Sequence, residues 1–148
     1  MKKLTHDEIS QRRYSLDDLQ ASERLPVIVL LDNIRSLYNV GSIFRTSDGA
    51  RIKKLILTGY TPHPPRKEIE KTALGATQSV PWEYVRDPLE AIHALKAEGV
   101  RICTLEHTSA SVPYDTLTPE AFPLCLIVGN EVTGVSPAVI AGAAPALM

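Results

Sequence analysis

Cysteine is scarce in this chain, long apolar runs are absent, and neither sign of charge dominates. Only Cys103 and Cys125 occur in 148 residues, both inside apolar, strand-like runs. They read as buried free thiols more readily than as a disulfide. With the four histidines (His6, His63, His93, His107) they show no metal-ligand spacing, so no metal is expected. No apolar run approaches the roughly 20 residues of a membrane-spanning helix. The basic start, Met1-Lys2-Lys3, leads into no apolar segment, so no secretory signal is read and cytoplasmic residence is the expectation. A net charge of −1 argues against a surface coated in positive charge for nucleic acid. Internal repeats and low-complexity segments are missing too.

What is present is an ordinary soluble composition, 44% hydrophobic and 22% charged, long enough for one domain with a real core. Two helix-start signatures, Thr5-His6-Asp7-Glu8 and Ser15-Leu16-Asp17-Asp18, place a hydroxyl three residues before an acid. Residues 1–25 therefore read as an N-terminal arm of short helices, ended by Pro26. Beyond it, Val27–Leu31 is apolar without alternation, as in a strand covered on both faces. Further strands are predicted at Lys54–Thr58, Ser79–Val85 (an edge strand or strand start, given Pro81), Val100–Leu105 and Leu124–Val128. Helices are predicted from Asn39, from Arg66 to about Ala76, from Pro88 to a stop at Gly99, and from Ser136-Pro137. Strands alternating with helices indicate an α/β fold: a mostly parallel sheet with helices on both faces, binding ligands outside the carboxyl ends of its strands. No G-x-G-x-x-G follows the first strand, which excludes the usual dinucleotide fingerprint.

The fifth strand empties into Gly129-Asn130-Glu131-Val132-Thr133-Gly134. Glycines at such a turn let the backbone approach a ligand closely. A phosphate-cradling loop would need Lys after the second glycine, where this chain has Val135, and Glu131 would repel phosphate. The loop suits a ligand that is neutral or cationic where it touches the protein, and S-adenosylmethionine, a nucleoside carrying a sulfonium, is one. On spacing alone a plain structural turn explains it equally well.

A second segment, Asn39-Val40-Gly41-Ser42-Ile43-Phe44-Arg45-Thr46, follows the first strand. Val40, Ile43 and Phe44 form a buried stripe, and Arg45 lies roughly 100° further round the helix, at the edge of the core face. Position alone leaves it either a surface cation or a site residue. Between positions 33 and 71 eight Lys and Arg oppose three acids, enough for a backbone-binding surface or simply a solvated face.

Taken together, Asn39-x-Gly41-x-x-x-Arg45-Thr46, Lys71-Thr72-Ala73-Leu74-Gly75-Ala76 and Leu126-Ile127-Val128-Gly129-Asn130-Glu131-x-x-Gly134 resemble, in order and spacing, the successive motifs of the SpoU family. These are RNA ribose 2′-O-methyltransferases of the SPOUT superfamily, and the likeness runs from about Pro26 to Ser136. The resemblance implies a SPOUT-type (α/β-knot) domain over residues 26–148 and methyl transfer from S-adenosylmethionine to a ribose 2′-hydroxyl of tRNA or rRNA, tRNA being slightly preferred. It further implies Arg45 as the catalytic arginine with Asn39 as its companion, and cofactor contacts from Thr104, Leu105, Gly129, Asn130, Glu131 and Gly134. Glu131 is alternatively structural, accepting from backbone amides. Lys71, Arg66 and Lys67 are the implied RNA phosphate contacts, and a homodimer with its site near the interface is implied as well. The family's third motif is not found: the chain stops at Met148, about where that motif begins, so an incomplete knot and impaired cofactor binding are expected. Two alternatives stand beside this reading: a non-catalytic RNA-binding or regulatory remnant of the fold, and, less favoured, a small-molecule α/β enzyme.

Overall fold

Unbroken apolar runs separated by helical stretches dictate a layered arrangement, and the computed structural model, which describes residues 1–143 and 145–148, has that form. Both capping signatures are realised. Thr5 and Glu8 exchange side-chain and backbone hydrogen bonds at the start of α1 (His6–Ser10), and Ser15 and Asp18 do the same for α2 (Leu16–Ala21). Neither helix buries a residue, so caps rather than packing support these short segments.

Six parallel strands follow: β1 (Leu25–Asp32), β2 (Ile52–Thr58), β3 (Trp82–Val85), β4 (Arg101–Leu105), β5 (Leu124–Gly129) and β6 (Ala146–Leu147), in the order β3-β2-β1-β5-β4-β6. Helices α3 (Leu37–Ala50), α4 (Lys67–Ala73), α5 (Ala76–Ser79), α6 (Pro88–Ala97) and α7 (Pro137–Gly142) cover the sheet. Because side chains alternate along a strand, Ile28, Leu30, Ile56, Ile102 and Ile127 pack on one face with Ala91, Ile92 and Leu95 of α6 and Val139 of α7. Leu31, Leu55 and Leu57 face the other way, against Val40 and Phe44 of α3, Ile69 of α4 and Ala76 of α5. Both faces are therefore apolar, which explains the missing alternation in β1. Cys103 and Cys125 are free and buried, and burial pushes the Cys125 thiol up to about 12.

Strand order runs outward in opposite directions from the β1–β5 pair, and the chain leaves β1 for one face and β5 for the other. That pair is the topological switch point, where a crevice opens outside the strand ends. Two connections frame it closely. At Gly41 a Cβ would overlap Thr72 Oγ1 and the Ile69 carbonyl oxygen, so glycine lets α3 lie directly on α4. Thr72 Oγ1 completes the contact by donating to the Tyr38 carbonyl at 2.9 Å.

Three expectations are corrected. The single helix over 66–76 is split, because Leu74 and Gly75 take left-handed conformations (φ 51° and 89°). Ser79 and Val80 do not begin the third strand: Ser79 ends α5, where its hydroxyl donates to Asp48 at 2.7 Å, and Val80 is its cap. β6 is additional. Two residues after a proline carry no readable periodicity, yet both edges of this strand are satisfied. On one side Thr104 N–H donates to the Pro145 carbonyl and Glu106 N–H to that of Leu147; on the other, Val112 N–H donates to Ala146 and Met148 N–H to Val112. Among the described residues, no helix is long and apolar enough to cross a membrane.

Candidate functional site

The loop after β5 is built from backbone constraints. Asn130 and Gly134 exchange N–H···O=C bonds of 3.0 and 2.9 Å, closing the turn. Asn130 Oδ1 accepts from the amides of Val132 and Thr133, and its Nδ2 donates to the Asn33 carbonyl and to Tyr60 Oη. Both glycines are required by neighbours. A Cβ on Gly129 would run into Gly134 and the Val135 nitrogen; one on Gly134, at φ +69°, would strike Glu106 Oε2.

Three carboxylates pin this loop to its surroundings. Glu106 accepts from Val135 N–H at 2.9 Å and from His107 N–H at 3.0 Å, and these two amides hold its carboxyl below the usual range. Asp32, fully buried at the end of β1, accepts from Ser136 N–H at 2.8 Å. Glu131 reaches across the switch point. Its Oε2 accepts from Arg35 N–H (2.9 Å), and its Oε1 from Ser36 N–H (2.9 Å) and Asn39 Nδ2 (2.8 Å). Desolvation opposes ionisation there, but the Arg35, Ser36 and Asn39 donors outweigh it and hold the carboxyl at about 2.

Beside that clamp lies a cleft of about 320 Å³, lined by Ile34, Asn39, Ser42, Ile43, Val128, Gly129 and Glu131. Apolar walls and an ionised carboxylate held by fixed donors make a setting for a ligand with an apolar body and a positive centre, and exclude a polyanion. Ser36 caps α3 by accepting from Asn39 N–H at 3.2 Å, so the helix start carrying Asn39 is fixed from both sides.

Residues 26–147 match the family model described as the SpoU rRNA Methylase family. The chain belongs to the SpoU rRNA methylase family. Its similarity to the 23S rRNA (guanosine-2′-O-)-methyltransferase RlmB of Vibrio cholerae is 29% identity over 85 residues, 57% of this chain and 34% of the relative. Among solved structures it resembles the TrmH/SpoU tRNA modifying enzyme of A. aeolicus, with TM-score 0.77 and 26% identity over 90% of this chain and 68% of that one. It also resembles the AdoMet-bound rRNA methyltransferase of Sinorhizobium meliloti, with TM-score 0.76 and 29% identity over 91% of this chain and 51% of that one. The chain spans between about a third and a half of the length of the curated relatives it matches.

In this SpoU-family chain the expected site residues fall into four groups. Asn39, Gly129 and Glu131 line the cleft, with Asn130 and Gly134 shaping its loop. Thr104 is buried at the end of β4 next to β5, Leu105 is half-exposed, and neither lines the cleft. Arg45 is exposed less than two turns beyond Asn39, ~9 Å along the axis of α3. Its guanidinium makes no hydrogen bond or ion pair among the described residues. Lys71, Arg66 and Lys67 are exposed at the start of or along α4, with Lys71 Nζ 5.9 Å from the Tyr38 ring centre. Sequence reasoning missed Asp32, Asn33, Tyr60 and Glu106. An acid closing an unbroken apolar run was the available signal for Asp32; the partners of the others depend on chain crossings that no local pattern records.

Proposed function

We propose that this chain carries the methyl-transfer site of an RNA ribose 2′-O-methyltransferase that uses S-adenosylmethionine on tRNA or rRNA, in the cytoplasm and as a homodimer. The observation that carries the reading is the Glu131 clamp, which joins the motif after β5 to the helix start of the motif after β1. S-adenosylmethionine, when bound, supplies an electrophilic methyl group on a cationic sulfur. The cleft's apolar walls and the negative Glu131 fit such a molecule, and Gly129 lets the loop after β5 fold tightly back on Gly134 and Val135 at the cleft wall. The remaining work falls to protein side chains. Arg45 orients the ribose hydroxyl and stabilises the alkoxide as it develops; a guanidinium with a pKa above about 12 does not act as a base, so the proton passes to an RNA phosphate oxygen. By holding the ribose hydroxyl in one orientation, Arg45 would supply much of the acceleration when the methyl donor is bound. Lys71, Arg66 and Lys67 hold the RNA backbone.

Two facts support sharing the site across a dimer. Arg45 does not line the cleft of its own chain, and among the described residues its side chain makes no hydrogen bond or ion pair. An Arg45→Ala variant tests the whole reading. Methyl incorporation into RNA from labelled S-adenosylmethionine should fall at least 100-fold, with cofactor affinity by calorimetry within about two-fold of wild type. Loss of cofactor affinity with retained RNA binding would instead make Arg45 structural.

A further inference from the structure

The sequence contains one tryptophan, five tyrosines and two phenylalanines. Three of these, Tyr60, Trp82 and Tyr84, lie along the β2–β3 edge: Tyr60 just past the carboxyl end of β2, Trp82 at the start of β3 and Tyr84 near its carboxyl end. There the loop from Gly59 to Arg66 and Tyr84 enclose a cleft of about 420 Å³. Tyr60 and Tyr84 are 63% and 42% exposed, an unfavourable arrangement for large rings unless something covers them. Their hydroxyls are already engaged. Tyr84 Oη donates to the Gly59 carbonyl at 2.6 Å, and Tyr60 Oη accepts from Asn130 Nδ2 at 2.9 Å. The phenol ends are thus fixed while much of each side chain stays exposed.

His63 stands against both neighbours, its ring centre 6.0 Å from Trp82 at an interplanar angle of 25° and 5.2 Å from Tyr84 at 46°. Its Nδ1 lies 2.9 Å from the Pro64 carbonyl oxygen, which assigns the hydrogen to Nδ1 and leaves Nε2 an acceptor in the neutral ring. Arg66, exposed at the rim, makes no side-chain hydrogen bond or ion pair among the described residues. Exposed aromatic rings, a ring-nitrogen acceptor and an exposed cation match the three parts of a nucleotide: a π face, an edge with N–H donors, and a phosphate. A ribose 2′-hydroxyl carries no base identity, so target choice needs a base-reading contact separate from the transfer site.

We propose that this cleft binds an unstacked base of single-stranded RNA, a nucleotide flanking the methylated ribose, with Tyr60, His63 and Tyr84 as the stacking platform and Arg66 on its phosphate. The inference rests on the reading above that the chain acts on RNA. Tyr60 ties the two regions together, since the hydroxyl at the cleft wall bonds directly to the loop proposed to hold the methyl donor.

Trp82, the sole tryptophan, is a built-in reporter. Its fluorescence should change on titration with short oligo(U) or oligo(A), and much less with UMP or AMP. Tyr84→Leu and His63→Ala should each weaken oligonucleotide binding roughly ten-fold. Tyr84→Phe, which keeps the ring and loses the bond to Gly59, should stay within about two-fold. Arg66→Ala should weaken both oligonucleotides alike and reduce the slope of log affinity against log salt by about one. Wild-type affinity in a folded Tyr84→Leu variant would overturn the proposal, as would a Tyr84→Phe as weak as Tyr84→Leu, or mononucleotides binding as tightly as the oligomers. If those results came with Arg45-dependent methylation intact, only the cleft assignment falls. If the wild-type chain neither binds RNA nor methylates it, both readings fall together.

Discussion

Glu131 stays ionised because it meets donors rather than cations: two backbone amides and one side-chain amide face it across the switch point. A carboxyl held at about 2 against an ordinary value of 4.5 stabilises the fold fully above pH 4.5, and that contribution drains away as pH falls toward 2. Glu131→Gln removes this dependence. Urea midpoints of wild type and variant, measured between neutrality and pH 2, should therefore converge as acid is added, with wild type the more stable at pH 7. A constant gap across that range would refute the clamp as an electrostatic device. The sequence displayed Glu131 and the glycines around it, and even the alternative that it accepts from amides. It could not display which amides, because Arg35 and Ser36 lie 96 and 95 positions upstream. Glu106 and Tyr60 were invisible for the same reason, each acquiring its role from a partner on a different crossover.

Elements were more legible than their contacts. Both short capping boxes, the five longer strands and the start of α6 at Asp87-Pro88 follow from local rules, since a cap or an apolar run needs only near neighbours. The break at Leu74 and the fate of Ser79 did not follow, because docking of α5 onto α3 through Asp48 outweighs the strand-like pattern around Val80. The α3–α4 contact shows the same division. Gly41 could be read as part of a motif, but its purpose is closeness, with Thr72 and the Ile69 carbonyl occupying the place of a side chain. Gly41→Ala should accordingly cost about 1–3 kcal/mol by forcing the two helices apart. Thermal unfolding of the variant measures that loss. Gly49, with open space around it, supplies the control: Gly49→Ala should be neutral or slightly stabilising.

At the scale of the molecule, the order β3-β2-β1-β5-β4-β6 brings the loops after β1 and β5 together, and the parallel α/β class was evident from alternating patterns alone. Strand order was not, since periodicity says which face a residue takes and nothing about which strands are neighbours. If the cleft at the switch point takes S-adenosylmethionine, binding must stabilise the whole fold by linkage, by about 2.7 kcal/mol at a hundred-fold excess over Kd. For a chain of this size that is a rise in Tm of roughly 5–10 °C. Scanning calorimetry with and without the ligand should show it, and an equal Tm in both would count against the site.

The Glu131 clamp also makes distant parts of the backbone speak for one another. Because the Arg35 and Ser36 amides are protected by a side chain from the far loop, their exchange with deuterated solvent reports every excursion of residues 130–134. Two signals in the β1–α3 turn are thus a clock for opening and closing at the other side of the crevice, readable without touching either the loop or whatever it holds.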